Sequence, residues 1–173
     1  MVVSIWDDGF GISVPNVFQL TKGDISRILE GFRHREGGRP GLDIFVVKGW
    51  DYPELCATYI EAADRVRQNQ TPAIIHVTEL TQPYGHSTSG NHERYKSAKR
   101  LEWEKEYDFL RKMREWIVER GFLTDVQLKE IEAAEERHVL ETRDKAWREY
   151  RSPIEEERET VLGLIEAVTG DSS

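Results

Sequence analysis

Two aspartates and two glycines sit together in WDDGFG (Trp6 to Gly11), directly after the β-branched run VVSI. Paired carboxylates on a flexible turn at a strand end suit a hard cation, because Mg²⁺ takes oxygen ligands and commonly bridges to phosphates. An Asp-Gly turn with no ligand has the same composition, and that reading stands beside the metal one. GWDYPEL (Gly49 to Leu55) places another aspartate after a second apolar run. Asp51 reads first as a helix cap, with Pro53 near the first turn and Glu54 three residues on.

The third cluster is TQPYGHSTSGNHERYKS (Thr81 to Ser97), which follows the apolar PAIIHVTEL. Structureless loops longer than about 12–15 residues are uncommon in compact domains, and are usually functional or disordered. In its GHS triplet, Gly85 permits close backbone approach, and the His86 imidazole, hydroxyls and free amides can together hold a phosphate. Zinc finds less support: His86, His92 and Glu93 lack the i, i+4 pair of an HExxH helix and have no cysteine partner. Ser87 and Ser89 lack a GxSxG elbow, and no Walker loop is present. His76, inside the apolar run, reads as a core histidine with satisfied nitrogens, while His34 and His138 carry no pattern.

These clusters need elements to place them. Val2 to Trp6, Leu42 to Gly49 and the PAIIHVTEL run read as three strands, separated by segments of helical period. Ile25, Ile28, Leu29 and Phe32 mark one helix, ended by REGGRPG; Leu55, Cys56, Tyr59, Ile60 and Ala63 mark another. That alternation predicts an α/β fold with parallel strands and ligands beyond their carboxyl ends. Three strands make a thin sheet, so the expectation is the back half of an α/β domain over residues 1–92, including the His86 loop. Residues 93–173 are expected to form a helical extension packed on it. There Glu93 to Arg120 reads as one charged helix, Thr124 and Gln127 open the next as a capping box, and Ser152-Pro153 breaks it before a last helix ending near Gly170.

The formal charge of −8 gives no excess of cations to neutralise phosphates, which argues against nucleic acid or anionic lipid as a partner. No apolar run approaches the ~20 residues of a membrane span. The single cysteine, Cys56, excludes an intrachain disulfide and fits a reducing compartment, so the expected location is cytoplasmic.

Taken in order, WDDGFGISVPNVFQLTKGDI, VKGWDYPEL, TPAIIHVTELTQPYGHSTSGNHERYKS and RGFLTDVQLKEIE carry a resemblance. The chain resembles the thiamine-diphosphate-binding alpha part of the 2-oxo acid dehydrogenase first components, of the pyruvate and branched-chain type. That family reads Glu-Asn-Asn-x-aromatic-x-Ile-Ser, Val-Asp-Gly-x-Asp, and Gly-His-Ser with a downstream Tyr-Arg. The resemblance implies a partial thiamine-diphosphate-binding fold and Mg²⁺ held by Asp8 and the Phe10 carbonyl. It also puts Gly9 and Phe10 in the cofactor-binding turn and His86 and Ser87 among the cofactor-binding residues, with His86 on the diphosphate and Ser87 at a position that is phosphorylated in animal members. It assigns no catalytic acid or base to this chain.

Three departures accompany it. Asp8 stands where the family has asparagine, Phe109 stands where proline commonly follows the aspartate, and the Gly-Asp-Gly segment expected upstream of Asp8 is absent. The chain therefore resembles a C-terminal fragment of the alpha part, with details looking most like the branch in which alpha and beta parts are fused. The activity implied by the resemblance is oxidative decarboxylation of a 2-oxo acid with acyl transfer to lipoamide. The implied partners are the beta part and a lipoyl-bearing acyltransferase, in an oligomeric full enzyme, and the fragment alone is expected to be inactive. A helical interaction or assembly module is the alternative, and a metal-dependent hydrolase using Asp7, Asp8, His86 and His92 is a third reading.

Overall fold

The structure is a computed structural model that describes residues 1–35, 37–38, 40–86 and 91–170. The chain folds into two compact units, Met1–Arg120 and Gly121–Ser173.

In the first unit, β1 (Val2–Trp6), β4 (Asp43–Lys48) and β5 (Ala73–Thr78) form a parallel sheet in the order β1-β5-β4. Val2 pairs with Ala73 on one side of β5, and Asp43 pairs with the same alanine on the other. The central strand is therefore the most apolar: Ala73 to Val77 are all buried, as expected of a parallel strand covered on both faces. This is the α/β arrangement expected from the sequence.

One helix, α2 (Tyr52–Asn69), supplies most of the cover. Its start is local chemistry, since Asp51 accepts the Glu54 N–H at 3.1 Å and Pro53 occupies the first turn. Asp51 is thus a cap. At 100° per residue, Leu55, Tyr59, Ala62 and Val66 share one face, and they pack on Val47, Ile75 and Val77. Ile60, read as part of the apolar stripe, falls on the other side and is 64% exposed. Gln70 ends the helix in the left-handed region, its N–H reaching Val66 O at 3.1 Å.

Between β1 and β4 lie a small antiparallel ribbon, β2 (Phe10–Gly11) with β3 (Val14–Pro15), and the short helix α1 (Ile25–Leu29). Asp24 caps α1 through the Arg27 N–H. The ribbon was not expected from the sequence, because neither strand is long enough to show an alternating period.

The single helix read over Glu93 to Arg120 is instead two, α3 (Ala98–Glu106) and α4 (Phe109–Glu119), preceded by a 3₁₀ turn at His92–Arg94. Ser97 caps α3 through the Arg100 N–H and Asp108 caps α4 through the Arg111 N–H. The second cap requires extended backbone at Asp108, φ −54° and ψ 132°, which interrupts the helix. Tyr107, at the joint, stacks on Trp103 at 5.2 Å and meets Trp50 at 4.9 Å, so the break is packed. Asp108→Ala should lower stability by about 1 kcal/mol. Urea unfolding followed by tryptophan fluorescence checks this, and an unchanged midpoint would show that packing at Tyr107 alone fixes the joint.

The second unit is built on α5 (Asp125–Gly170), 46 residues long. It opens with the predicted capping box: Thr124 N–H donates to Gln127 Oε1 at 2.9 Å, and Gln127 N–H donates to Thr124 Oγ1 at 3.3 Å. The break expected at Ser152-Pro153 does not occur, and Pro153 lies inside the helix. Proline forfeits one backbone hydrogen bond but its φ is helical. The turn around it is tied by Ser152 Oγ to Glu156 at 2.9 Å and by an Arg151–Glu155 ion pair at 2.6 Å. Among the described residues, no helix is long and apolar enough to cross a membrane.

Candidate functional site

Asp7 and Asp8 leave β1 at the carboxyl end of the sheet, where α/β folds place ligands. Asp7 is committed to structure. Its Oδ1 accepts the Gly9 N–H at 2.8 Å and the Asn16 side-chain amide, and its Oδ2 faces His76 Nε2 at 3.0 Å. His76 is 1% exposed, and its Nδ1 lies 2.7 Å from Ser26 Oγ. A carboxylate can only accept, so Nε2 carries the proton toward Asp7, and in the neutral ring Nδ1 accepts from the Ser26 hydroxyl. The histidine is a satisfied core residue, as read from the sequence, and it also ties the WDDGFG turn to α1.

Asp8 is placed differently. Its Oδ1 accepts the Phe10 N–H at 3.0 Å, while its Oδ2 takes no hydrogen bond among the described residues. Each aspartate thus closes an Asx turn onto the amide two residues on, and Gly9, at φ +84°, supplies the left-handed backbone between them. A turn and a cation site are compatible here, because the turn uses one oxygen of Asp8 and leaves the other. Asp8 and Gly9 line a cleft of about 270 Å³ together with Asp7, Asn16, Thr78, Glu79 and Arg100.

The far end of the long loop closes on this turn. Gly85, at φ +72°, is closely packed, since a Cβ there would meet His92 Cβ at 3.1 Å and Tyr95 Oη at 3.2 Å and its backbone conformation would be strained for any other residue. The Tyr95 ring meets Phe10 edge-on at 5.7 Å. Lys96 and Arg100 also lie over the Phe10 ring, at 5.7 and 5.6 Å. Beneath them Glu104 binds both cations, Lys96 Nζ at 2.8 Å and Arg100 Nε at 2.8 Å. Arg100 Nη2 then donates to the carbonyls of Asp8 at 2.9 Å and Leu80 at 3.0 Å, joining the ends of β1 and β5.

A family model described as "Dehydrogenase E1 component" matches residues 26–155, three-quarters of the chain. The chain belongs to this family. Pyruvate dehydrogenase E1 component subunit alpha of Rickettsia bellii (strain RML369-C) is 33% identical over 109 residues, covering 62% of this chain and 32% of the relative. The corresponding subunit of Rickettsia felis is 34% identical over 109 residues, and that of Rickettsia prowazekii is 34% identical over 100. The chain spans about a third of the length of these curated relatives. No solved structure matches it significantly. The relatives bear out the likeness to the alpha part, and the dehydrogenase E1 components are oxidoreductases.

Within this E1 chain, the residues singled out from the sequence fall in three places. Asp8 and Gly9 line the cleft at the end of β1, while neighbouring Phe10 packs against Tyr95; His86 is exposed, one residue beyond Gly85. Ser87 lies outside the described residues. His92 and Glu93 line a different cavity, of about 360 Å³, with Leu101, Lys105 and Arg111, so His92 is not brought to the aspartates. Among the described residues no three His, Cys, Asp or Glu side chains gather around a metal position. Near Asp51, Glu115 is held below the usual carboxylate range by hydrogen bonds from Lys112 and then Arg111, an exposed ion-pair arrangement and not a poised acid.

Sequence reasoning missed Lys96, Arg100 and Glu104. The i, i+4 spacing of Arg100 and Glu104 was a usable signal. Nothing local pointed to Lys96.

Proposed function

We propose that this chain forms the part of a 2-oxo acid dehydrogenase E1 alpha unit that holds the metal and diphosphate end of thiamine diphosphate. The observation that carries this reading is the cleft beyond β1 and β5, where Asp8 and Arg100 share one lining. Mg²⁺ is commonly held by one or two carboxylates together with phosphate oxygens and water. Asp8 Oδ2, in the cleft lining, is a donor of that kind, and the Phe10 carbonyl, two residues on, would be the second, so the donor chemistry present fits the group.

When bound, thiamine diphosphate would supply the carbanion chemistry that decarboxylates a 2-oxo acid. The chain's own residues bind and orient. Asp8 and Phe10 would hold the metal, the Gly9 turn would let backbone approach, and His86, with Ser87, would reach the diphosphate from the loop. Base chemistry at the thiazolium would come from a beta part, and the acyl group would pass to lipoamide on an acyltransferase partner. A cytoplasmic location and an oligomeric full enzyme belong to the same proposal.

The test is calorimetric titration of thiamine diphosphate and Mg²⁺ into the chain expressed with whatever its natural reading frame places on either side. Saturable binding is expected, weakened about tenfold or more by Asp8→Ala and by His86→Ala. Absence of binding in that protein would sink the reading.

The alternative, a helical assembly module, draws on α5. From Val126 to Val168 every seventh residue is apolar, with Ala133, Leu140, Trp147, Ile154 and Val161 between them. That column gives one apolar position per heptad, where a coiled-coil seam has two, so it offers a narrow stripe along which a partner could lie. It would gain ground if the titration failed while deletion of α5 changed the oligomeric state.

A further inference from the structure

The Lys96–Glu104–Arg100 cluster does more than brace the fold. Its two cations share one carboxylate, and Lys96 and Glu104 have side chains only 1% and 3% exposed. The cluster therefore keeps one uncancelled positive charge, and Arg100, whose side chain is 26% exposed, carries it into the cleft. Among the described residues Arg100 is the one basic side chain in that lining, beside Asp7, Asp8 and Glu79. Asp7 is already engaged by His76, Asn16 and Gly9, and Glu79 by Lys48 and the Trp50 indole N–H. Among the described residues the Asp8 side chain takes only the Phe10 amide. The charges in this lining left, among the described residues, without an ion-pair partner on the cleft side are Asp8 and Arg100, and Arg100 reaches the Asp8 residue itself through its carbonyl.

We infer that Arg100 sets the charge of this cleft: by offsetting Asp8 it makes the site select a metal–diphosphate pair over a bare divalent cation. The inference rests on the cofactor reading above and adds the residue that decides what the site accepts. An aspartate alone at this turn attracts a divalent ion and repels a diphosphate, and a fixed guanidinium in the same lining weakens both tendencies. The same side chain is a positioning residue for the metal-binding turn, because it holds the Asp8 carbonyl directly. Its rigid fork is occupied on three sides, by Glu104, Asp8 and Leu80, so its charge is fixed in place.

Charge and propping are separable by experiment. Arg100→Gln still offers N–H donors to the two carbonyls but carries no charge, and Arg100→Lys keeps the charge while losing the fork. Each variant, in the chain expressed with its natural flanking frame, is titrated with Mn²⁺ alone and separately with magnesium pyrophosphate. Arg100→Gln should bind Mn²⁺ alone about tenfold more tightly and magnesium pyrophosphate about tenfold more weakly. Arg100→Lys should stay near the parent on both. Opposite movement of the two affinities is the signature of charge, whereas a merely structural role would lower both together. A parallel fall, or no change in Arg100→Gln, overturns the inference while leaving the cofactor reading in place. A parent protein that binds neither probe defeats that reading and the inference with it.

Discussion

Glu104→Ala should be among the most damaging single substitutions in the first unit, lowering the free energy of unfolding by about 3–5 kcal/mol. The carboxylate is 2% exposed and is the shared partner of Lys96, itself 5% exposed, and of Arg100. Removing it leaves the Lys96 ammonium buried, among the described residues, with only the Gln82 carbonyl, at 3.2 Å, and the Phe10 ring face. A buried ion pair is weak evidence of net stabilisation, but breaking one strands the remaining charge, and that asymmetry sets the size of the effect. The double variant Lys96→Met with Glu104→Ala should therefore recover much of the loss, because no buried ammonium is left. Urea unfolding of the parent, the single and the double variant measures both numbers. A single variant that loses less than about 1 kcal/mol, the scale of an exposed pair, would mean that water reaches the cluster.

What was legible in the sequence was what short-range chemistry decides. The β-branched and apolar runs became β1, β4 and β5, the Asp51-Pro53-Glu54 pattern became the start of α2, and Thr124 with Gln127 opened α5. Each of these rests on residues within a few positions of one another. The site was legible only where it is local, in the turn around Asp8. Its supports are contacts between distant positions: His76 to Asp7 across 69 residues, Ser26 to His76 across 50, Arg100 to the Asp8 carbonyl across 92. No period or motif encodes those meetings; they exist only once β5 lies beside β1 and α3 lies over both strand ends. The split between α3 and α4 was hidden for a related reason. Asp108 is a poor helix former, but a single such residue in a charged helical run does not mark a break; it acts as a stop because its side chain captures the Arg111 N–H while Tyr107 packs against Trp50 and Trp103.

The second large effect joins fold to site. His76→Phe keeps a planar ring, somewhat larger than imidazole, at a position 1% exposed, so some overpacking of β5 adds to its cost. What it cannot replace are two hydrogen bonds. Asp7 Oδ2 and the Ser26 hydroxyl, the latter in a residue 8% exposed, both lose their partner, for an expected cost of about 3 kcal/mol. Asp7 would keep Gly9 and Asn16 on its other oxygen, so the turn should loosen and not vanish. Affinity for magnesium thiamine diphosphate should then drop about tenfold at temperatures where the variant is still fully folded. His76→Gln, whose amide can donate toward Asp7, should restore part of that affinity and little of the stability contributed through Ser26. A His76→Phe protein that is destabilised yet binds as tightly as the parent would show that Asp8 holds its place through Arg100 and the Asx turns alone. In that case Asp7 and His76 belong to the scaffold of the sheet, and the binding turn is organised from the side of α3.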